Sequence, residues 1–218
     1  MDSDKTVIYL VRHGEIDANV ARRWFGSTDG ELNANGIAQA DRLGDYVKQQ
    51  YPQISKIYSS PLKRTMRTAQ GLAGAHLAVA EPHPGLREYA IGELEGCAFE
   101  ELATEHRFFD KLAQSADYAP PGGESVNQVR DRMITTLFEL HDRHPGEHIA
   151  VVSHGAAMAI ALTQLLQGTA YPFNEFHMAN TGISKLILQP TPALLFFNHT
   201  GHLDDTAESA GQPLGETL

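Results

Sequence analysis

Thr6-Val7-Ile8-Tyr9-Leu10-Val11, followed at once by Arg12-His13-Gly14-Glu15, decides the reading of the fold. A β-branched and apolar run closed by a glycine reads as a buried strand, and a guanidinium and an imidazole stand at its carboxyl end. The pattern returns at Ile149-Ala150-Val151-Val152, which leads through Ser153 to His154-Gly155. In an open α/β sheet the ligand crevice lies beyond the carboxyl ends of the strands. Two strand-ending histidines far apart in the chain can therefore meet in one pocket.

Working outward, Gly36 precedes a helical pattern with Ile37, Ala40, Leu43 and Val47 on one face. Ile54 to Ser59 reads as a second strand. Ser60-Pro61 then reads as a helix start, serine as N-cap and proline at the first helical position, with Arg64 in the first turn and the helix running towards Ala75. From about Ala80 to Gly123 the pattern is less regular, with one amphipathic helix expected between Phe99 and Leu112. Ser125 and Gln128 form a capping box for a helix with Val126, Val129, Met133, Leu137 and Leu140 inward, stopped by Pro145-Gly146. An apolar helix follows His154 to about Leu166, and Ile183 to Leu188 and Leu194 to Phe197 read as final strands. Strands alternating with helices predict an α/β fold, a three-layer α/β/α sandwich with a mostly parallel central sheet. The expected organisation is one domain over residues 1–203 with a lid-like inserted segment at about 86–123, and a polar, disordered tail at 204–218.

The formal charge of −10 argues against nucleic acid or an anionic membrane as the main partner, because both repel such a field. A local cationic pocket for a small anion remains compatible with it. Cys97 is the single cysteine, which rules out an internal disulfide and suits a reducing compartment. The opening Met1-Asp2-Ser3-Asp4-Lys5 lacks a secretory pattern, and no apolar run is long enough to span a bilayer. The expected location is the cytoplasm. Uncovered edge strands leave both a monomer and a homodimer open.

The guanidiniums of Arg12 and Arg64 match phosphate oxygens with planar, paired donors. A neutral imidazole is a competent nucleophile. Phosphoryl transfer needs mostly positioning and charge compensation, which two arginines and a second histidine can supply. No Gly-rich Walker loop or Asp-rich magnesium site is legible in the chain, so the reading is metal-independent, with no cofactor.

Leu10-Val11-Arg12-His13-Gly14-Glu15, with Asn19 behind it, resembles the signature of the histidine phosphatase superfamily, the phosphoglycerate mutase-like fold. Further blocks resemble that family in the same order: Arg23, Gly26, Asp29 and Gly36; Ser59 to Thr65 with Thr68-Ala69; Leu86-Arg87-Glu88-Tyr89 with Gly92 and Glu95-Gly96; Gly123-Glu124-Ser125; Val152 to Gly155; and Asn180-Thr181-Gly182. The resemblance implies that His13 is the nucleophile, forming a phosphohistidine. It implies that Arg12, Asn19, Arg64 and His154 hold the phosphoryl oxygens. It also implies that Glu88 protonates the leaving alkoxide and then deprotonates the attacking water. Such a role needs a Glu88 pKa raised by burial or hydrogen bonding against the pull of nearby arginines. One departure is Ile16, where the family usually carries Ser or Thr, so a hydroxyl contact near the phosphate is lost and substrate choice is affected.

Phosphatase and mutase share such a pocket. The family's mutases resembling phosphoglycerate mutase carry a longer, more basic segment after the catalytic glutamate, whereas Ile91 to Leu102 is short and acidic. That favours a phosphomonoesterase acting on a small phosphorylated metabolite; the alternative is a cofactor-dependent phosphoglycerate mutase-type phosphotransferase. Tyr89, Phe99, Phe108, Phe109 and Tyr118 either wall the pocket or, as is commoner for such residues, fill the core. Arg23 either reaches the substrate or pairs with Asp29. His141, His144 and His148 flank Pro145-Gly146 and read as surface histidines at a helix end ahead of a metal cluster.

Overall fold

A computed structural model describes residues 5–76 and 78–203; the tail expected at 204–218 lies outside the described residues. Strands β1 (Val7–Arg12), β2 (Ile54–Ser59), β3 (Ala80–Pro82), β4 (His148–Ser153), β5 (Ile183–Ile187) and β6 (Ala193–His199) form one sheet in the order β3-β2-β4-β1-β5-β6. The first four in that order run parallel, and β5 and β6 add two antiparallel pairings. The helices are α1 (Asp17–Val20), α2 (Ala34–Gln50), α3 (Lys63–His76), α4 (Phe99–Thr104), α5 (Phe108–Gln114), α6 (Val126–Arg143) and α7 (Gly155–Gln167). None among the described residues is long and apolar enough to cross a membrane.

Alternation along β1 builds both halves of the core. Ile8 and Leu10 pack with Ile149, Val151 and the inward residues of α6 and α7. Val7, Tyr9 and Val11 pack with Leu43 and Val47 of α2 and Leu72 of α3. Each fully buried aliphatic side chain contributes about 1.5–3 kcal/mol, so a sheet covered on both faces is the state that buries these strands. The segment before α6 shares the first of these clusters, through Leu86, Tyr89, Ile91, Leu102, Phe108 and Leu112.

Several local expectations shift. The helix α2 begins ahead of Gly36, because Asn33 caps it, its Oδ1 accepting from the Gly36 amide at 2.8 Å. Gly36, Gln39, Ala40, Leu43, Gly44 and Val47 form the buried stripe, and Ile37 falls beside it, 41% exposed. The helix α3 starts at Lys63, beyond Pro61. The Lys63 amide donates to Asp29 Oδ1 at 2.8 Å, while the Ser60 hydroxyl is taken by His154 Nε2 at 2.8 Å. The single helix expected between Phe99 and Leu112 is two short ones, interrupted at Arg107, whose φ of 45° is left-handed. The capping box of Ser125 and Gln128 is present, and Val126, Val129, Met133, Leu137 and Leu140 are all buried. His144 is buried instead of lying on the surface, because the Tyr58 hydroxyl meets its Nε2 at 2.8 Å.

The register sets the stage for the site. Arg12 lies opposite Ser153, and Ser59 opposite Val152, so the carboxyl ends of β1, β4 and β2 are level. The ladder runs one step further through His13 N to Ser153 O (3.1 Å) and Ser60 N to Val152 O (2.9 Å). His13, Ser60 and His154 therefore leave the sheet side by side.

Candidate active site

His13 is 4% exposed, and its Nδ1 lies 2.7 Å from the Gly14 carbonyl oxygen. A carbonyl only accepts, so Nδ1 carries the proton and Nε2 keeps its lone pair. Burial, then the charges of Arg64 and Arg12, push the His13 pKa well below 6.5. The ring is thus neutral at physiological pH, with a nucleophilic nitrogen that has no protein partner among the described residues.

The ring lines a cavity of about 260 Å³ together with Arg12, Asn19 and Glu88. Arg12 Nη1 donates to Met178 O at 2.6 Å, and Arg12 Nε is buried with no hydrogen-bond partner among the described residues. Burial pulls the Arg12 pKa down to about 10, with the Glu88 carboxylate opposing and the Arg64 charge assisting. Arg12 stays cationic at neutral pH. Asn19 Oδ1 accepts from Ile16 N (3.0 Å) and from Asn180 Nδ2 (3.3 Å), which leaves the Asn19 amide nitrogen as a donor. Glu88 sits at the start of α7. Its Oε1 accepts from Ala157 N and Tyr89 N, both at 2.8 Å, and its Oε2 from Ala156 N at 3.2 Å. Backbone amides and the helix dipole thus hold the carboxylate in place.

Arg64 and His154 stand behind this pocket and do not line it; both are fully buried. Arg64 Nε donates to His154 Nδ1 at 3.2 Å, which leaves Nε2 as the protonated nitrogen facing Ser60 Oγ. The His154 ring centroid lies 5.2 Å from that of His13. The rest of the Arg64 guanidinium donates to the carbonyls of Thr28 (2.8 Å), Gly26 (2.8 Å) and Phe25 (3.1 Å). Glu95 grips the same loop from its amide side, accepting from Gly26 N (2.8 Å), Ser27 N (3.0 Å) and Thr28 N (3.3 Å). A cation in the first turn of α3 opposes the helix dipole, and these carbonyls, with the charges of Glu88, Asp29 and Glu95, offset it.

Of the six residues expected at the site, Arg12, His13, Asn19 and Glu88 share the cavity, with Arg64 and His154 one layer behind. The lining also includes Ile16, Arg22, Arg23, Trp24, Phe25, Phe99, His177 and Asn180. Among the aromatics weighed as a wall, Phe99 lines the cavity, while Tyr89 and Phe108 are fully buried in the core. Arg23 reaches the Gly96 carbonyl (2.7 Å), and the Asp29 carboxylate serves the Lys63 amide. His177 carries no signal in the sequence; its Nε2 lies 3.4 Å from Arg12 Nη1, and burial with that charge lowers its pKa to about 4.

Two glycines let the loop that carries His13 sit where it does. A Cβ on Gly36 would lie 2.1 Å from the Glu15 carbonyl oxygen, and one on Gly14 would lie 2.5 Å from the Gly36 carbonyl oxygen. Backbone cannot yield as a flexible side chain can. Gly36→Ala is expected to cost about 1–3 kcal/mol of stability and to lower kcat/KM by displacing Glu15, Gly14 and His13. Urea unfolding and steady-state kinetics check it; an unchanged midpoint with unchanged activity contradicts the packing argument.

The model of the histidine phosphatase superfamily (branch 1) matches residues 8–198. "Phosphoglycerate mutase-like protein 4" of Arabidopsis thaliana is 31% identical over 94% of this chain and 90% of its own. "Probable phosphoglycerate mutase GpmB" of Serratia proteamaculans is 34% identical over 86% of this chain and 87% of its own. Among solved structures, the phosphoserine phosphatase of Entamoeba histolytica in complex with 3-phosphoglyceric acid aligns with a TM-score of 0.82 at 32% identity, covering 91% of this chain and 99% of that chain.

Proposed function

This chain belongs to the histidine phosphatase superfamily (branch 1), and from that premise we propose that it is a metal-independent phosphomonoesterase acting on a small phosphorylated metabolite. The observation that carries the reading is the neutral His13, its Nδ1 tied to Gly14 and its Nε2 unpartnered, in a cavity shared with Arg12, Asn19 and Glu88. The Nε2 lone pair attacks phosphorus as the P–O ester bond breaks, and Glu88, having taken a proton from the bound phosphate monoanion, passes it to the departing oxygen. Glu88 then takes a proton from water, the hydroxide attacks the phosphohistidine, the P–N bond breaks, and His13 regains its lone pair.

Arg12 and Asn19 donate to the phosphoryl oxygens directly. Arg64 adds positive charge from behind the ring. His154 contributes its Nε2–H when that bond is exchanged from Ser60 Oγ to an oxygen of the anion. Charge compensation of this kind is a large term in phosphoryl transfer.

The second reading, a cofactor-dependent phosphoglycerate mutase-type phosphotransferase, is favoured by the names of two relatives. Hydrolysis of phosphomonoesters that persists in excess chelator, is blocked by vanadate and needs no diphosphorylated cofactor supports the phosphatase. Activity lost to chelator, or phosphoryl transfer between phosphoglycerates that depends on such a cofactor, overturns it.

A further inference from the structure

Arg22 and Arg23 are exposed, yet both border the same cavity as His13. Elsewhere on the surface Arg67, Arg107, Arg130, Arg132 and Arg143 each pair with a carboxylate. Arg22 and Arg23 pair with none among the described residues, although acidic side chains outnumber basic ones by 27 to 17. Arg23 gives Nη1 to the Gly96 carbonyl, which aims its fork without neutralising it.

The backbone that presents them is fixed on both sides. Arg22 N donates to Asn19 O (3.1 Å), Phe99 N donates to Arg22 O (3.0 Å), and Arg23 N donates to Ala18 O (2.9 Å). Arg22 has φ 51°, a left-handed conformation that a non-glycine residue keeps only when its surroundings enforce it. Ile16, Trp24, Phe25 and Phe99 supply apolar wall to the same cavity. The transferred phosphoryl group occupies Arg12, Asn19 and the charge of Arg64, so the Arg22 and Arg23 charges are left for something else.

We propose that Arg22 and Arg23 form a second anion subsite, and that the substrate is a phosphomonoester carrying a carboxylate or a second phosphate remote from the transferred group. The inference rests on the phosphatase reading and adds the substrate class. It places the second anion on the turn after α1, not on the segment after Glu88, which is short and acidic.

The test compares 3-phosphoglycerate and propane-1,3-diyl bisphosphate with glycerol 3-phosphate, which keeps the size of the first without its carboxylate. Wild type is expected to prefer the anionic-tailed compounds, and the arm with the larger preference identifies carboxylate or phosphate. In Arg22→Gln/Arg23→Gln that preference, as a ratio of kcat/KM, is expected to fall about tenfold, mostly through KM, since charge-assisted pairs at a partly exposed site are of that strength. Arg22→Lys/Arg23→Lys is expected to restore part of it. An enzyme that hydrolyses all three alike, or a double variant that keeps the wild-type ratio, overturns the subsite and leaves the phosphatase intact. Failure to hydrolyse any of them, or p-nitrophenyl phosphate, overturns the phosphatase reading itself.

Discussion

His13→Ala is expected to abolish turnover, lowering kcat/KM by at least about 10⁴-fold, the scale seen when a covalent nucleophile is removed. The variant is also expected to lose all acid-labile, alkali-stable label when incubated with phosphorylated substrate. The reason is structural. Nδ1 is committed to the Gly14 carbonyl, so only Nε2 can attack, and the other imidazole lining the cavity, His177, has its Nε2 turned to Arg12 Nη1 at 3.4 Å. The same environment fixes the pH behaviour. Burial first, then Arg64 and Arg12, lower the His13 pKa well below 6.5. A base whose pKa is lowered keeps its lone pair as the solution is acidified, so an NMR titration of this ring should show it neutral through pH 6.5. Protonation at the ordinary histidine value, or full labelling of His13→Ala, sinks the assignment.

What the sequence revealed, and what it concealed, follows how local each interaction is. The capping box of Ser125 and Gln128 closes within three residues, so it was legible. The strand ends bearing His13 and His154 were legible because a buried run stops abruptly at charged or imidazole side chains. Ser60 was not, since its hydroxyl is taken by His154, a partner ninety-four positions away. Gly36 lies inside its helix, past the Asn33 cap, where periodicity gives it no distinct role. Its requirement comes from the Glu15 backbone passing 2.1 Å from where a Cβ would stand. The planar donors of Arg64 are legible as phosphate-matching, but not their hold on three carbonyls of the loop at 25–28. That loop has no periodicity to read, and its shape depends on Glu95 and Arg64 arriving from elsewhere. Trp24 and Phe25 sit between Arg23 and Gly26, inside one of the family-like blocks, and their place in the cavity is signalled by that position. His177 has no such signal.

Glu88→Gln is expected to slow hydrolysis of alkyl phosphates by about 10²–10⁴-fold, the range for loss of a positioned general acid and base. The substitution preserves shape but not chemistry. Glu88 now accepts from Ala157 N and Tyr89 N on one oxygen and from Ala156 N on the other. An amide can keep the first pair, but its NH₂ then faces the Ala156 amide, donor against donor, and it can neither give up nor take a proton. The two half-reactions should respond differently. Phosphorylation of His13 by an alkyl phosphate needs the leaving oxygen protonated, whereas p-nitrophenolate leaves without help. With p-nitrophenyl phosphate the variant should therefore show a near-normal first turnover and then stall, because the water that attacks phosphohistidine still lacks its base. Rapid-quench kinetics would record a stoichiometric burst of nitrophenolate with accumulating phosphoenzyme. Equal slowing of the burst and of steady-state turnover for both substrates would mean that Glu88 holds the start of α7 in place and transfers no proton.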